Sequence, residues 1–253
     1  VLLRSASRPM RAACWFAVVK AGGIAVATMP MLRARELAPI IEIGRISHAL
    51  CDGALADELA QAAGMGAWLR QVRLFNLAGA DCLEARMALQ PAGFAAVDTA
   101  SDDTCLLGFT SGTTGVPKAT MHFHRDVIAI LRCWPEHVLR ARAEDVFIGS
   151  PPLGFTFGLG GLLLFPMAVG ASTVLLERAG PAQLVDAIRE FDATVLFTAP
   201  TSYRAMAAQG AALRATRLRK CVSAGEVLPA ATRVAWREAT GILLIDGTAA
   251  TEM

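Results

Sequence analysis

Gly108–Lys118 reads GFTSGTTGVPK and lies between two apolar runs, Cys105–Phe109 and Ala119–Phe123, which the pattern predicts to be strands. Small residues let a backbone turn sharply and point successive N–H groups at one spot, which is how a loop grips phosphate oxygens. Hydroxyl groups add donors, and a lysine adds charge-assisted hydrogen bonds. The stretch therefore predicts a phosphate-binding loop made of Thr110, Ser111, Gly112, Thr113, Thr114, Gly115 and Lys118.

This loop differs from the Walker A loop of P-loop NTPases. That motif needs its lysine directly after a glycine, whereas Val116 and Pro117 separate Gly115 from Lys118 here. An ordinary glycine- and serine-rich turn between two strands remains the structural alternative.

Outward from the loop, short β-branched runs alternate with longer amphipathic stretches, which is typical of βα units that build largely parallel sheets. Further strands are predicted at 24–27, 49–51, 72–77, 146–148, 173–176, 194–198, 221–223 and 242–245. Helices are predicted after Pro9 and over Pro181–Phe191, each with proline at its start. The predicted fold class is α/β, with sheets flanked by helices in two related subdomains. Pro, Gly, Ser and Asp gather over Gln90–Asp103, so we expect a partial first subdomain over residues 1–95 and a second over 96–253.

Ile148–Leu176 contains no charged residue and is long enough to cross a bilayer. Its three prolines and six glycines would break a helix whose backbone finds no water in lipid. We therefore expect no membrane span, and interpret the stretch as a buried helix followed by a core strand.

The charge balance argues against a nucleic-acid partner, because 24 basic residues face 22 acidic ones. The six cysteines form no CxxC pair, which favours reduced core residues and a cytoplasmic protein. His122 and His124 alternate on one strand, but without a nearby third ligand we interpret them as structural.

The segment TSGTTGVPK resembles the signature of the adenylate-forming superfamily, which includes acyl-CoA synthetases, luciferases and the adenylation domains of peptide synthetases. The resemblance implies that the loop holds the β- and γ-phosphates of ATP. A substrate carboxylate would then attack the α-phosphorus, pyrophosphate would leave, and coenzyme A would take the acyl group. Lys118 would be a catalytic residue.

Three downstream segments resemble further stations of that superfamily, in the same order. PPLGFTFGLGG implies that Phe155 or Phe157 lines the acyl pocket, and SAGEVLP implies that Ala224 borders the acyl group while Gly225 and Glu226 lie along adenine. DGTAATEM implies nucleotide contacts by Asp246, Gly247, Thr248 and Thr251, and Mg²⁺ binding by Glu252, a hard ligand for a hard cation. Thr251 and Glu252 would be catalytic with Lys118. Thr248 and Ala249 depart from the pattern, where an aromatic or aliphatic residue and a glycine are usual.

KAGGIAVATMPMLRARELAPII, ALCDGALADEL, ATMHFHRDV and TAPTSYRAM resemble the branch of benzoate and 2-aminobenzoate CoA ligases. This resemblance implies an aromatic carboxylate substrate and suggests Tyr203 as a wall of the acyl pocket. Tyr203 packed under the sheet is the structural alternative. An acyl-CoA ligase for another carboxylate, a non-catalytic nucleotide-binding module and a lipid-associated protein remain as other functions.

The chain begins without Met and ends shortly after a strand-like run, so we expect a fragment truncated at both ends. The resemblance implies that the small C-terminal domain with its catalytic lysine, and the ribose-binding Asp, lie outside it. The sequence leaves the oligomeric state open.

Overall fold

The computed structural model describes residues 1–110, 115–248 and 250–251. Its contacts divide the chain into two compact units, and the division falls between Val127 and Ile128 rather than at the predicted junction after residue 95. The physical reason is a pair of backbone hydrogen bonds: Ala25 N–H donates to Cys105 O (2.8 Å) and Leu107 N–H donates to Ala25 O (2.9 Å). These bonds attach the strand before the predicted phosphate loop to the first unit.

The first unit contains a parallel sheet with strand order β2-β1-β3-β4. Its strands are β1 (Leu2–Arg4), β2 (Val26–Thr28), β3 (His48–Asp52) and β4 (Gln71–Phe75). β1 was not predicted, because three residues are too few to show a period. β4 stops before the predicted end at Leu77, because Asn76 takes a left-handed conformation with φ of 56°.

Four helices accompany this sheet: α1 (Pro9–Lys20), α2 (Ala34–Ile43), α3 (Ala56–Ala63) and α4 (Leu83–Ala88). Leu37, Ile40 and Ile41 are buried at the spacing of one helix face, and they pack with Leu59 of α3 and Val26 of β2. One apolar core therefore joins α2 and α3 to the sheet.

A separate antiparallel hairpin of β5 (Thr104–Thr110) and β6 (Lys118–Phe123) also belongs to the first unit. It leads into α5 (His124–Cys133), within which the division between the units falls.

The carboxyl edge of the first sheet is filled by two buried arginines. Arg4 is 1% exposed and Arg11 is 2% exposed. Burial, together with the charge of Arg4, lowers the pKa of Arg11 to about 10. Arg4 donates hydrogen bonds to the backbone oxygens of Met29, Leu32 and Leu55. Arg11 donates to the backbone oxygens of Ser5 and Thr28.

Asp52, the last residue of β3, completes this polar filling. Its carboxylate accepts hydrogen bonds from the Ser5 hydroxyl (3.2 Å), the Asn76 amide (2.8 Å) and the Ala54 N–H (3.1 Å). The carboxyl edge of the first sheet is therefore closed by hydrogen-bonded side chains.

The second unit is built on a five-stranded parallel sheet with order β11-β10-β9-β7-β8. The strands are β7 (Val146–Gly149), β8 (Ser172–Val174), β9 (Val195–Thr198), β10 (Lys220–Ser223) and β11 (Leu244–Asp246). Each overlaps a predicted strand, so the prediction of an α/β fold with largely parallel sheets is confirmed.

The helices of this unit are α6 (Thr156–Leu159), α7 (Phe165–Val169), α8 (Pro181–Glu190), α9 (Pro200–Ala207), α10 (Gly210–Arg214) and α11 (Ala230–Thr240). Leu184 and Ile188 of α8 are fully buried in the core, together with Trp236 of α11. Phe191 follows α8 and is 46% exposed, so the helix ends one residue before its predicted end.

The uncharged stretch 148–176 is divided between β7, α6, a π-helical turn over Gly160–Leu164, α7 and β8. No helix in the described part of the chain is both long and apolar enough to cross a membrane. The predicted buried helix is present, because α6, the π-helical turn and α7 follow one another without a gap and Gly160–Leu164 is buried throughout. The prediction of a core strand after it is wrong, because β8 lies at the edge of the sheet and is only partly buried.

Asp145 lies directly before β7 and ties together the amino ends of three strands. It is 1% exposed, and it accepts hydrogen bonds from the Thr194 hydroxyl (2.6 Å), Arg219 (2.6 Å), Lys220 (3.1 Å) and the Arg142 N–H (2.9 Å). Burial raises the pKa of Asp145, but the bonds from Thr194, the Arg142 backbone and Lys220 outweigh it, so the pKa lies below its ordinary value. The carboxylate therefore stabilises the sheet in its ionised form.

Candidate functional site

The predicted phosphate loop connects the two strands of the hairpin in the first unit. Thr110 ends β5 and lies opposite Lys118, the first residue of β6. Gly115 has a φ of 80°, a left-handed conformation that favours glycine, and Lys118 is exposed. Ser111, Gly112, Thr113 and Thr114 lie outside the described residues. The described residues thus place a lysine and a turning glycine at one end of a hairpin.

The second unit contains a cavity of about 230 Å³ at the carboxyl ends of β9, β10 and β11. In open α/β sheets, ligands bind outside the carboxyl ends of the strands. One wall comes from helical segments and the other from the sheet and the loops after it. The lining residues are Ile130, Trp134, Thr156, Phe157, Gly160, Gly161, Phe165, Phe197, Val222, Ala224, Gly247, Thr248 and Ala250.

Phe197 of β9 is the centre of an aromatic cluster at this cavity. Its ring centroid lies 5.7 Å from that of Phe157, 5.9 Å from Trp134, 6.1 Å from Phe147 and 6.3 Å from Phe165. Aromatic pairs at these separations attract beyond the burial of their area. The cluster is therefore a stable floor that offers ring faces and edges to a ligand.

Two glycines form the part of the helical wall that lies against this cluster. A Cβ atom on Gly161 would lie 2.4 Å from the ring of Phe197, and one on Gly160 would lie 3.2 Å from the ring of Phe165. Contacts below 3.0 Å force something to shift. The backbone of the π-helical turn therefore approaches the rings at a distance that only glycine permits at position 161.

Among the described lining residues, none carries a charged side chain. Their polar side-chain atoms belong to Thr156, Thr248 and Trp134. An isolated ion would lose its hydration here without compensation, whereas a neutral ring would gain apolar contact. The cavity is therefore suited to an uncharged, flat group.

The three residues predicted to contact the substrate are not brought together at this cavity. Ala224 lines the cavity. Phe155 is 44% exposed and lies outside the lining, whereas Phe157, the alternative to Phe155 in the same segment, does line the cavity. Tyr203 is fully buried in the core, with its ring 4.8 Å from Trp236.

Tyr203 takes the structural alternative considered for it. Its hydroxyl lies 2.9 Å from Val222 O and 3.1 Å from Leu196 O, and burial raises its pKa well above the usual range. The interpretation as a pocket wall is corrected, because these bonds direct the ring under the sheet.

Gly225 and Glu226 follow Ala224 at the carboxyl end of β10. Gly225 has a φ of 88°, and the carboxylate of Glu226 accepts a hydrogen bond from Thr201 (3.1 Å). Both residues are exposed, and their predicted contacts with adenine remain predictions.

The predicted nucleotide station after β11 is partly described. Asp246 pairs with Arg233 at 3.2 Å, and Gly247 N–H donates to Ser223 O at 2.8 Å. Gly247 and Thr248 line the cavity, which places this station at its edge. Thr251 is half-buried, while Ala249 and Glu252 lie outside the described residues. Mg²⁺ binding by Glu252 stays a prediction.

Several cavity residues were not found from the sequence. Trp134, Phe165 and Phe197 are distant in sequence and meet only in the fold. Only Phe197 could have been found from the sequence pattern. Side chains alternate along a strand, so Phe197 is expected on the face of β9 opposite to the buried Leu196. Trp134 follows an ordinary helix and carried no such signal.

The comparisons with known proteins agree on one family. The sequence profile described as AMP-binding enzyme matches residues 1–253. The benzoate–CoA ligase of Thauera aromatica is 38% identical over 179 residues, which are 70% of this chain and 34% of that protein. The 4-hydroxybenzoate–CoA/benzoate–CoA ligase of Rhodopseudomonas palustris is 32% identical over 248 residues, which are 94% of this chain and 45% of that protein.

Solved structures give the same result. The crystal structure of the anthranilate CoA ligase AuaEII in complex with anthranoyl-AMP superposes with a TM-score of 0.92 at 32% identity, over 99% of this chain and 50% of that one. The chain spans a third to a half of the length of the curated relatives described above. Since the profile matches the whole sequence, this chain belongs to the AMP-binding enzyme family.

Proposed function

We propose that the whole protein containing this chain activates an aromatic carboxylate with ATP and transfers it to coenzyme A. The observation that carries the proposal is the apolar cavity of about 230 Å³, which has an aromatic floor and no charged side chain among its described lining residues. An apolar cavity of about 150 Å³ in another protein holds benzene, so one substituted ring has room here.

The proposed reaction has two steps. A carboxylate oxygen attacks the α-phosphorus of ATP, the bond to the bridging oxygen breaks, and pyrophosphate leaves an acyl-adenylate. The sulfur of coenzyme A then attacks the acyl carbonyl, and AMP departs with the electrons of the broken C–O bond. Thr110–Gly115 and Lys118 would hold the β- and γ-phosphates, Thr251 the α-phosphate, and Glu252 the Mg²⁺ ion. A cytoplasmic location supplies ATP and coenzyme A.

Benzoate and 2-aminobenzoate are the proposed substrates. The names of the relatives support this choice, since they include benzoate–CoA and anthranilate–CoA ligases. The described residues leave two other functions open: ligation of another carboxylate, and nucleotide binding without catalysis.

Isotope exchange between pyrophosphate and ATP in the whole protein tests the proposal. We expect exchange that depends on Mg²⁺ and on benzoate or 2-aminobenzoate, and much weaker exchange with hexanoate, whose flexible chain loses more entropy in a rigid aromatic site. Exchange with hexanoate alone would contradict the substrate class. ATP binding without exchange for any acid would favour the non-catalytic alternative.

Lys118→Ala tests the phosphate loop. A charge-assisted hydrogen bond contributes roughly 1.5 to 3 kcal/mol, which predicts adenylation slower by about tenfold to a hundredfold. Because Lys118 is exposed, we expect the thermal midpoint to stay within about 1 °C. Lys20→Ala, an exposed lysine at the end of α1, is the matched control. Wild-type exchange in Lys118→Ala, or lost exchange with an unfolded protein, would remove the assigned role.

A further inference from the structure

We propose that Trp134 determines the length of the aryl group that this cavity accepts, so that the enzyme discriminates against rings substituted opposite the carboxylate. The inference rests on the proposed function and deepens it by naming the residue that limits the substrate.

The cavity has two different ends, which follow from the order of the strands. Its lining begins in the loop after β11, at Gly247, Thr248 and Ala250, and continues past β10 to Phe197 of β9. The next strand is β7, whose Phe147 is fully buried and stacks on Phe197 at 6.1 Å. The cavity therefore ends at the aromatic cluster and does not continue along the sheet.

A bound aryl carboxylate has one favourable orientation between these ends. The aromatic end, like the rest of the described lining, offers no charged partner, so the proposed reaction sets the orientation of the carboxylate. The opposite end contains the Thr248 hydroxyl and the backbone of the predicted nucleotide station. The carboxylate belongs at that end, where it can meet the α-phosphate, and the far carbon of the ring points toward the cluster.

Trp134 is held in place at the aromatic end. It is the first residue of the π-helical turn Trp134–Leu139, and the next residue, Pro135, is buried. Its ring stacks on Phe165 at 5.5 Å with an interplanar angle of 20°, and it lies 5.9 Å from Phe197. A substituent on the far ring carbon would need the space that this indole occupies.

Phe197, the central ring of the cluster, is less able to set this limit. Phe197 is 1% exposed and lies between Phe147 and the backbone of Gly161, so its ring is part of the core. Trp134 is only half-buried, so its truncation opens space toward solvent rather than leaving a sealed void. The side chain of Trp134 can therefore vary in size without removing the floor.

The experiment compares affinities for two stable acyl-adenylate mimics, 5′-O-(N-benzoylsulfamoyl)adenosine and its 4-methylbenzoyl analogue, by titration calorimetry on the whole protein. One extra methyl group in a tight pocket changes binding by about tenfold to two-hundredfold, so we expect the wild type to prefer the unsubstituted mimic by at least tenfold. In Trp134→Ala this preference should disappear or reverse, and in Trp134→Phe it should fall to an intermediate value.

Phe191→Ala is the control, because Phe191 is an exposed ring outside the cavity and its loss should leave the ratio of affinities unchanged. Equal wild-type affinity for both mimics, or an unchanged ratio in a folded Trp134→Phe, would overturn the role of Trp134 and leave the proposed function standing. If the wild type binds ATP but neither mimic, the proposed function fails and this inference fails with it.

Discussion

The two parallel sheets of this protein end very differently at their carboxyl edges. In the first unit, Arg4, Arg11 and Asp52 fill the edge. The two arginines donate hydrogen bonds to backbone oxygens, and the Asp52 carboxylate accepts one from the Ser5 hydroxyl. In the second unit, the same edge opens into a cavity of about 230 Å³ bounded by rings and glycines.

The contrast shows that parallel topology alone does not create a binding site. Carboxyl ends of parallel strands are a general location for ligands, yet long side chains at that position can close it. An open edge needs small residues that leave space, as Ala224 and Gly247 do in the second unit. Substitutions that empty the first edge or fill the second separate the two effects.

Emptying the first edge should have the largest effect on stability. Arg11→Met keeps most of the apolar stem but leaves the carbonyl oxygens of Ser5 and Thr28 buried without this donor. Each buried unsatisfied group costs about 1 to 3 kcal/mol, so for two groups we expect a loss of roughly 2 to 6 kcal/mol in the free energy of unfolding. Urea unfolding followed by circular dichroism measures it.

Arg35→Met is the control for this prediction, since Arg35 is exposed on α2 and should change the free energy of unfolding by less than about 0.5 kcal/mol. An equally small loss in Arg11→Met would mean that water replaces the guanidinium, and that the first edge is not closed as tightly as described.

The amino edge of the second sheet should be the next most sensitive. Asp145→Asn removes the charge that Arg219 and Lys220 face, and we expect a loss of roughly 2 to 3 kcal/mol in the free energy of unfolding at pH 7. The pKa of Asp145 is lowered in the folded protein, so its stabilisation is present above the unfolded pKa of about 3.9. That stabilisation is lost as the pH falls further, through the folded pKa.

The pH dependence distinguishes charge from shape. Wild-type stability should fall more steeply below about pH 4 than that of Asp145→Asn, while exposed Asp186→Asn on α8 should follow the wild type. Parallel acid limbs in wild type and Asp145→Asn would show that the network does not depend on the ionised carboxylate.

Filling the second edge should change stability least and binding most. Ala224→Leu places a larger side chain into an existing cavity, so we expect less than about 1 kcal/mol in the free energy of unfolding. Affinity for the benzoyl mimic should fall at least tenfold, because the ring and the new side chain compete for one volume. Ala231→Leu, an exposed position of α11, is the control. Unchanged affinity in folded Ala224→Leu would exclude this cavity as the aryl site.

The fold was largely predictable because its strands repeat a local pattern. Core strands such as Val195–Thr198 are marked by β-branched and apolar residues, and Pro181 marks the start of α8 correctly. The division between the units was not predictable, because it depends on the pairing of Ala25 with Leu106, residues far apart in sequence.

The candidate site was predictable only where it follows a motif. Ala224 and Gly247 line the cavity, and their contacts with an acyl group and a nucleotide stay predictions. The sequence shows that Tyr203 is aromatic, but not which face of its helix is buried. In the fold, its hydroxyl donates to the backbone oxygens of Leu196 and Val222, so the ring lies under the sheet and not in the cavity. Trp134 was missed because its neighbours Phe165 and Phe197 come from other elements.

The close approach of Gly161 to Phe197 also limits how the protein can evolve. A wall made of backbone cannot be reshaped by exchanging side chains, since even alanine at position 161 would collide with the ring. Variants with new acid preferences should therefore arise through Trp134, Val222 or Ala224, while glycine persists at 161. In a library that randomises all four positions and is selected on new acids, we expect diversity at the three side-chain positions and glycine at the fourth.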